Sequence, residues 1–218
     1  MATPEELKSI AQQLQRPHGE KGLEMATMMN ETNKAMTQQA IKQLKLSSGE
    51  KVLELGHGNG GHLPYLLQQA ADIQYFGLEL SPLMQQVAAK ANQDYVEQQR
   101  ASFHLYDGTR PPFEDEQFDK IFSVNTVYFW PEPSGLIAEL YRVLKKEGVL
   151  ALTIAHKSFM ELLPFTAFGF HLYEPEELKT LVLAQSFQFL STETATEIVT
   201  SKTGEKVERQ FSTLTFSK

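Results

Sequence analysis

A glycine-rich turn that follows a short apolar run constrains the fold of this chain more than any other feature. The run covers residues 52–55, and Gly56, Gly58, Gly60 and Gly61 come directly after it. Glycine adopts positive φ at little cost and lets a ligand lie against bare backbone. Ligands of open α/β sheets bind beyond the carboxyl ends of the strands. The turn therefore predicts a strand, a ligand-binding loop and a helix, in that order.

The rest of the chain alternates apolar runs of strand length with stretches of helical periodicity. Such a stretch runs through residues 136–144, and Gly148 is expected to end it. Alternation of this kind predicts a parallel sheet covered by helices on both faces. Strands are expected at residues 52–55, 73–80, 101–106, 118–124 and 149–154, with an antiparallel hairpin at 187–199 and 206–216 that turns near Thr203-Gly204.

Acidic residues stand at the ends of three successive predicted strands. Glu54 lies in the first strand, Glu79 ends the second, and Asp107 follows the third. A carboxylate at such a position accepts hydrogen bonds from ribose hydroxyls. We expect Glu79 to accept hydrogen bonds from the ribose hydroxyls and Asp107 to face an adenine amino group. Asp107-Gly108 taken alone also fits a plain Asp-Gly turn.

The glycine spacing by itself fits more than one ligand. Gly56, Gly58 and Gly61 match the dinucleotide-binding pattern G-x-G-x-x-G. Together with Glu54, the glycines at positions 56, 58 and 60 also match E-x-G-x-G-x-G. A tight strand-to-helix turn without a ligand is the third interpretation. The three acids on neighbouring strand ends favour a ligand over an empty turn.

The composition excludes several classes of function. The chain has no cysteine, which excludes disulfides and thiolate sites, and no histidine pair has zinc-ligand spacing, so no metal is expected. Its 20 basic and 27 acidic residues give a net charge of −7, which disfavours nucleic-acid partners. The longest apolar run, residues 149–155, is too short for a membrane span, and the polar N-terminus is unlike a signal peptide. We therefore expect a cytoplasmic protein with no membrane partner.

Further segments extend the pattern beyond the glycine turn. They are residues 77–81 (GLELS), Asp107-Gly108, residues 118–121 leading into Val124-Asn125, and residues 140–148 (LYRVLKKEG). With residues 52–61 they make the chain resemble class I S-adenosylmethionine-dependent methyltransferases, specifically the small type 11 methyltransferase-domain group. The resemblance covers roughly residues 23–155. Its most specific element is the helix that ends R-V-L-K-x-x-G, although Glu147-Gly148 stands where the family often has two glycines.

The resemblance implies an α/β, three-layer, Rossmann-like methyltransferase fold. Its sheet is mostly parallel and seven-stranded, in the order 3-2-1-4-5-7-6, with an antiparallel last strand that agrees with the predicted hairpin. One methyltransferase domain is expected over residues 1–218. Within it, residues 1–46 are expected to be N-terminal helices covering the site, 47–155 the cofactor-binding core, and 156–218 a lid, the last helix and the C-terminal hairpin.

The cofactor that the resemblance implies is S-adenosyl-L-methionine. The glycine turn is expected to hold its methionine portion, with Asn125 near the amino acid end. Glu79 is expected to bind the ribose hydroxyls, and Asp107 to meet the adenine edge. The full expected set is Glu54, Gly56, His57, Gly58, Glu79, Leu80, Asp107, Gly108 and Asn125.

Methyl transfer from a sulfonium is an in-line displacement, which depends on holding the reacting atoms about 3–3.5 Å apart. The expected acceptor is a small molecule. A hydroxyl or an acidic carbon as acceptor needs a general base. The candidates are His156 and His171, which flank an aromatic-rich predicted lid, and Tyr128, which begins an aromatic segment expected to wall the acceptor pocket.

Two other functions stay open on the sequence alone. A nicotinamide-binding oxidoreductase shares the glycine turn, but it needs a second half with its own βαβ units, and the C-terminal hairpin argues against that. A cofactor-binding protein without catalysis, acting as a regulatory partner, is compatible with every motif. The pattern assigns neither an acceptor atom nor an oligomeric state.

Overall fold

The computed structural model describes residues 2–200 and 206–218. Its strands are β1 (Lys51–Leu55), β2 (Gln74–Glu79), β3 (Ala101–Leu105), β4 (Phe118–Val124), β5 (Leu144–Ala155), β6 (Gln188–Thr200) and β7 (Lys206–Ser217). They form one sheet in the order β3-β2-β1-β4-β5-β7-β6. β7 is antiparallel to both of its neighbours, and the other pairs are parallel. The predicted order and the antiparallel last strand are therefore confirmed.

Helices surround the sheet. They are α1 (Pro4–Gln15), α2 (Gly19–Thr32), α3 (Lys34–Gln43), α4 (Leu63–Leu67), α5 (Pro82–Ala91), α6 (Gln93–Glu97), α7 (Pro133–Val143), α8 (Lys157–Met160) and α9 (Pro175–Leu183). Short 3₁₀ turns occupy Val127–Phe129 and Pro164–Ala167. Of the helices that the described residues form, none combines the length and the apolar character that a membrane crossing requires.

The core lies in two clusters, one on each face of the sheet. Val52 of β1 points to one face and packs in a cluster with Ile41 of α3. Leu53 and Leu55 point to the other face, in the cluster that contains Ile137 of α7. All of these side chains are almost fully buried. A central strand that is apolar on both faces thus produces the expected three layers.

The helix expected to run to Gly148 ends earlier. α7 stops at Val143, and Leu144 has an extended backbone (ψ 135°) at the start of β5. Leu144 pairs with Phe118 of β4, and a bulge follows before the regular pairing resumes. The placement of Leu144 on the helix and the start of the fifth strand at residue 149 were therefore wrong. Helical spacing predicted the wrong boundary, because the Leu144 side chain is buried in the sheet just as it would be on the helix.

The turn between α1 and α2 is fastened to the start of α5. α1 begins with a capping box, in which Thr3 and Glu6 form both reciprocal hydrogen bonds. The buried Gln13 amide bonds both backbone groups of His18, and the hydroxyl of Ser81 donates to the carbonyl of Pro17. α1 also packs on the turn at Pro164–Ala167. The N-terminal segment therefore contacts both the start of α5 and the 3₁₀ turn at Pro164–Ala167.

β6 and β7 form the predicted antiparallel hairpin. The turn predicted near Thr203-Gly204 lies outside the described residues. β5 pairs with β7 only as far as Ala155 opposite Phe211, so the hairpin projects beyond the sheet. The projecting part reaches the end of α2.

Arg209 anchors this projection to the N-terminal helices. Its buried guanidinium donates to the Thr32 carbonyl and to Glu197, with 2.7 Å between Nη2 and Oε1. We expect Arg209→Met to lower the free energy of unfolding by about 1–3 kcal/mol, because Glu197 then loses its partner. Urea unfolding measures the loss, and adding Glu197→Met should restore part of it. A loss below about 0.5 kcal/mol contradicts this anchoring role.

Candidate active site

A cavity of about 390 Å³ opens where β1, β2, β3 and β4 end. Because these strands are parallel neighbours, the loops that follow them meet at one edge of the sheet. The wall of the cavity contains every residue expected to bind the cofactor, namely Glu54, Gly56, His57, Gly58, Glu79, Leu80, Asp107, Gly108 and Asn125. The structure therefore brings the whole predicted set together.

The glycine turn has the backbone that its sequence predicts. Gly56 and Gly58 have φ values of +76° and +55°. A Cβ atom at Gly56 would lie 2.4 Å from Cγ2 of Thr126, whereas one at Gly58 would meet nothing within 4 Å. Gly56 is thus required by the protein's own packing, and Gly58 leaves bare backbone facing open space.

The carboxylate of Glu79 is held by backbone N–H groups. Oε2 accepts from Gly58 at 3.0 Å, and Oε1 accepts from Leu80 at 2.8 Å and from Ser81 at 3.1 Å. Burial nevertheless raises the pKa of Glu79, against the opposing effect of these hydrogen bonds. A carboxylate offers about four acceptor positions. Since three are in use, one is left for a hydroxyl group in the cavity.

Glu54 forms a buried cluster with two residues that the sequence analysis did not connect to it. The hydroxyl of Tyr75 and Nε2 of His62, at 2.7 Å, both reach Oε2 of Glu54. Glu54 lies opposite Gly77 in the sheet register, two residues along from Tyr75. A Cβ atom at Gly77 would lie 3.1 Å from the Tyr75 hydroxyl. The missing side chain at Gly77 therefore gives Tyr75 room to reach Glu54.

His57 is buried in the turn as a neutral imidazole. Its Nδ1 lies 2.8 Å from the Gly58 carbonyl, and its Nε2 has no hydrogen-bond partner among the described residues. Its ring packs edge-on against Phe103, and a Cβ atom at Gly77 would lie 2.6 Å from it. Burial lowers the pKa of His57 to about 4, and the charge of Glu54 opposes this effect only in part.

This neutral histidine should make the fold sensitive to acid. Between pH 6.5 and about 4 the unfolded chain binds a proton that the folded His57 does not, so stability falls as pH falls. His57→Phe removes this term. The free energy of unfolding should fall from pH 7 to pH 5 in both proteins. We expect the fall to be smaller in the variant than in the wild type, by about 2 kcal/mol. Urea unfolding at both pH values measures this, with the exposed His171→Gln as control. Equal drops in His57→Phe and wild type contradict the assignment.

Asp107 is both a turn residue and part of the cavity wall. Oδ1 accepts from the backbone N–H groups of Thr109 (2.8 Å) and Arg110 (3.0 Å) and from the Thr109 hydroxyl. These hydrogen bonds, led by the one from Arg110, lower the pKa of the exposed Asp107 to about 2. Oδ2 has no partner in the described part of the chain. The turn and the ligand interpretations of Asp107-Gly108 are therefore compatible with each other.

Asn125 joins the end of β4 to the N-terminal helices. It has a positive φ of 57°. Its Nδ2 donates to Oδ1 of Asn33 at 3.1 Å and to Sδ of Met36 at 3.3 Å. Its Oδ1 accepts from the Tyr128 hydroxyl (3.1 Å) and the Ala155 amide (3.2 Å). These bonds hold the side chain that the sequence analysis expected near the amino acid end of the cofactor.

Comparison with known proteins places this geometry in a family. The family model described as a methyltransferase domain matches residues 53–152, from β1 into β5. An uncharacterized methyltransferase of Bacillus subtilis (strain 168), YdaC, is 28% identical over 128 residues, which are 58% of this chain and 68% of that protein. These matches support the prediction of an S-adenosylmethionine-dependent methyltransferase of the type 11 group. It also matches other curated proteins over 21–44% of their lengths, so it spans less than half of those proteins.

Solved structures share the fold of this methyltransferase. One is a chain from the complex between the Haloferax volcanii Trm112 methyltransferase activator and a methyltransferase. It matches with a TM-score of 0.76 and 16% identity over 99% of both chains. Another is Haemonchus contortus phosphoethanolamine N-methyltransferase 2 in complex with S-adenosyl-L-methionine, with a TM-score of 0.64 and 18% identity over 84% of this chain and 52% of that one. The nicotinamide alternative is not supported, because the sheet ends in the antiparallel pair β7-β6 where a second set of βαβ units is needed.

S-adenosyl-L-methionine is the cofactor that the sequence predicts for this methyltransferase domain. The groups in the cavity fit it. Glu79 has an acceptor position left for a ribose hydroxyl, and Asp107 has a free carboxylate oxygen for an amino group. The open space at Gly58 admits a ligand against the backbone.

None of the three candidate bases lies in the wall of the methyltransferase cavity. Tyr128 is buried, which raises its pKa, and its hydroxyl bonds Asn125 and the carbonyl of Ala155. His156 bonds the hydroxyl of Ser212 at 2.8 Å. His171 is exposed, and its ring lies 4.6 Å from that of Tyr173. A catalytic part for any of them stays a prediction without geometric support.

Part of the methyltransferase cavity wall was not predicted from the sequence. Residues at the end of α1, from Leu14 to Pro17, line it, as do Asn33 between α2 and α3 and Thr37 of α3. The partner that holds Pro17 at the cavity is Ser81, which is 64 residues away along the chain. Met29 and Asn30 of α2, within the N-terminal helices expected to cover the site, also line the cavity.

Proposed function

We propose that this methyltransferase transfers a methyl group from S-adenosyl-L-methionine to a small-molecule acceptor by in-line displacement. The observation that carries the proposal is the cavity that combines the cofactor set with an uncharged stretch of wall beside the end of β4. Its volume of about 390 Å³ lies in the range of small-molecule sites. The net charge of −7 disfavours a polyanionic acceptor.

We assign the cofactor contacts to the end of the cavity with the acidic groups. Glu79 would bind a ribose hydroxyl, and Asp107 would accept from the adenine amino group. Bare backbone at Gly56 and Gly58 would carry the methionine portion. The cofactor supplies a methyl group already activated on a sulfonium. The acidic side chains of the cavity suit this cofactor, because they place negative charge around a positively charged ligand.

We assign the acceptor to the part of the cavity beside the end of β4. Its wall there is formed by Asn33, Val124, Asn125, Phe129 and Trp130, which carry no charge. Phe129 is packed against Phe170 of the region between α8 and α9, with ring centroids 4.5 Å apart. Apolar rings exclude water, and the amide groups orient polar atoms of an acceptor. The chain's own contribution is thus to hold and align two ligands.

The acceptor class can be tested with methyl-labelled cofactor. The purified protein is incubated with a cell extract that has been separated into small-molecule, protein and RNA fractions. We expect label to enter the small-molecule fraction. In Glu79→Ala we expect most of this labelling to be lost, because the variant binds the cofactor weakly. Transfer of label mainly to protein or RNA contradicts a small-molecule acceptor.

A further inference from the structure

Glu54 and His62 form a largely buried ion pair in the cavity wall, and the proposed reaction gives this pair no role. Glu54 and the side chain of His62 are 3% and 14% exposed, and 2.7 Å separates Oε2 from Nε2. The Tyr75 hydroxyl donates to the same oxygen. The other oxygen of Glu54, and Nδ1 of His62, have no hydrogen-bond partner in the parts of the chain that the structure describes. Both residues line the cavity.

Of the titratable groups around this pair, His62 is the one that supplies a positive charge to Glu54. Tyr75 and Glu79 on β2 and His57 in the glycine turn are the other titratable groups that act on it. His57 is neutral, as its low pKa shows. Burial lowers the pKa of His62, but the charge and hydrogen bond of Glu54 outweigh this, so the pKa is raised above 6.5. Among the described residues, Glu54 has no ion-pair partner other than His62.

We propose that binding of the α-ammonium group of the cofactor beside Glu54 displaces a proton from His62, which makes cofactor binding release a proton. The inference rests on the proposed function, because it places the cofactor in this cavity. The proton leaves from Nδ1 to solvent, and Nε2–H stays on Glu54. With the ligand cation present, Glu54 no longer needs a second positive charge, and two cations in a buried site repel each other. His62 then acts as a positioning residue that keeps Glu54 oriented toward the ligand.

The sign of the pH dependence follows from linkage. The free protein holds the His62 proton more tightly than the complex does, so the affinity for the cofactor rises as pH rises through the titration of His62. The slope is at most about one proton, or about tenfold in affinity per pH unit. Titration of the ligand's own amino group is common to wild type and variants, so it cancels in their difference.

Calorimetric titration with S-adenosylhomocysteine at pH 7, in phosphate and in Tris, gives the number of protons released. We expect release by the wild type and a clearly smaller release by His62→Asn. The control is His104→Asn, a half-buried histidine that lies outside the cavity wall and should behave as the wild type does. The probe 5′-methylthioadenosine has no amino acid portion and should release no proton. Equal release by wild type and His62→Asn overturns the proposal.

A second measurement needs no variant. The pKa of His62 is followed by NMR in the wild type with and without S-adenosylhomocysteine. We expect it to be lower in the complex, and an unchanged or raised value overturns the inference. If the folded wild type binds none of these ligands, the proposed function itself fails, which is a different result from binding without proton release.

Discussion

Glu79→Ala is expected to weaken the binding of S-adenosylhomocysteine by about 10- to 150-fold, which corresponds to the loss of a charge-assisted hydrogen bond of about 1.5–3 kcal/mol. The carboxylate is buried and already fixed by the N–H groups of Gly58, Leu80 and Ser81. It therefore meets a ligand hydroxyl without reorganisation. Removing it also frees Gly58 from the contact that orients the glycine turn. Calorimetric titration of the folded proteins measures the change.

Two further variants make this result specific. Glu50→Ala removes a carboxylate from the opposite end of the sheet, where Glu50 pairs with Lys120, and should leave the affinity unchanged. Glu79→Gln keeps the size of the side chain and one acceptor oxygen, so it should lose less affinity than Glu79→Ala. Unchanged affinity in a folded Glu79→Ala protein removes Glu79 from the cofactor site.

Gly56→Ala is expected to lower the free energy of unfolding by about 3 kcal/mol, whereas Gly58→Ala should cost only about 1 kcal/mol. Both residues have positive φ, so both substitutions strain the backbone. The difference comes from Thr126, because a Cβ atom at Gly56 would lie 2.4 Å from its Cγ2 while one at Gly58 would meet open space. Urea unfolding of the two variants measures the contrast.

Thr126→Ser is the matched test of this clash. It removes the methyl group and keeps the hydroxyl that accepts from Trp130 and bonds Ser123. In the Gly56→Ala background it should restore at least about 1 kcal/mol. Equal costs at Gly56 and Gly58, or no rescue by Thr126→Ser, contradict the packing argument. Gly58→Ala should weaken cofactor binding more than it weakens the fold, since Gly58 lines the cavity and the added methyl group meets no protein atom within 4 Å.

The parts of the fold that the sequence predicted are those with local signals. The strand predicted at 52–55, which spans Lys51–Leu55 in the structure, follows from hydrophobic periodicity, and the glycine turn after it follows from the conformational freedom of glycine. Leu144 shows the limit of that reasoning. Its side chain is buried in either element, so spacing alone could not show that the strand begins there. The pairing with Phe118 that decides the matter is a tertiary contact.

The same division applies to the site. Residues at strand ends, such as Glu79 and Asp107, were predictable because parallel strands end at the same edge of the sheet. The cluster of Glu54, His62 and Tyr75 was not, since it depends on the register between β1 and β2 and on the space left by Gly77. The part of the wall formed by the end of α1 depends on a contact with α5 that no local pattern encodes.

The most direct test of the whole account is a crystal structure of the protein with S-adenosylhomocysteine. It should show one ligand per chain in the cavity at the ends of β1–β4, with the ribose on Glu79, the adenine at Asp107 and Leu80, and the amino acid portion against Gly56 and Gly58. A ligand bound elsewhere on the molecule, or an adenosine that contacts neither Glu79 nor Asp107, would contradict the assignment of this cavity as the methyl-donor site.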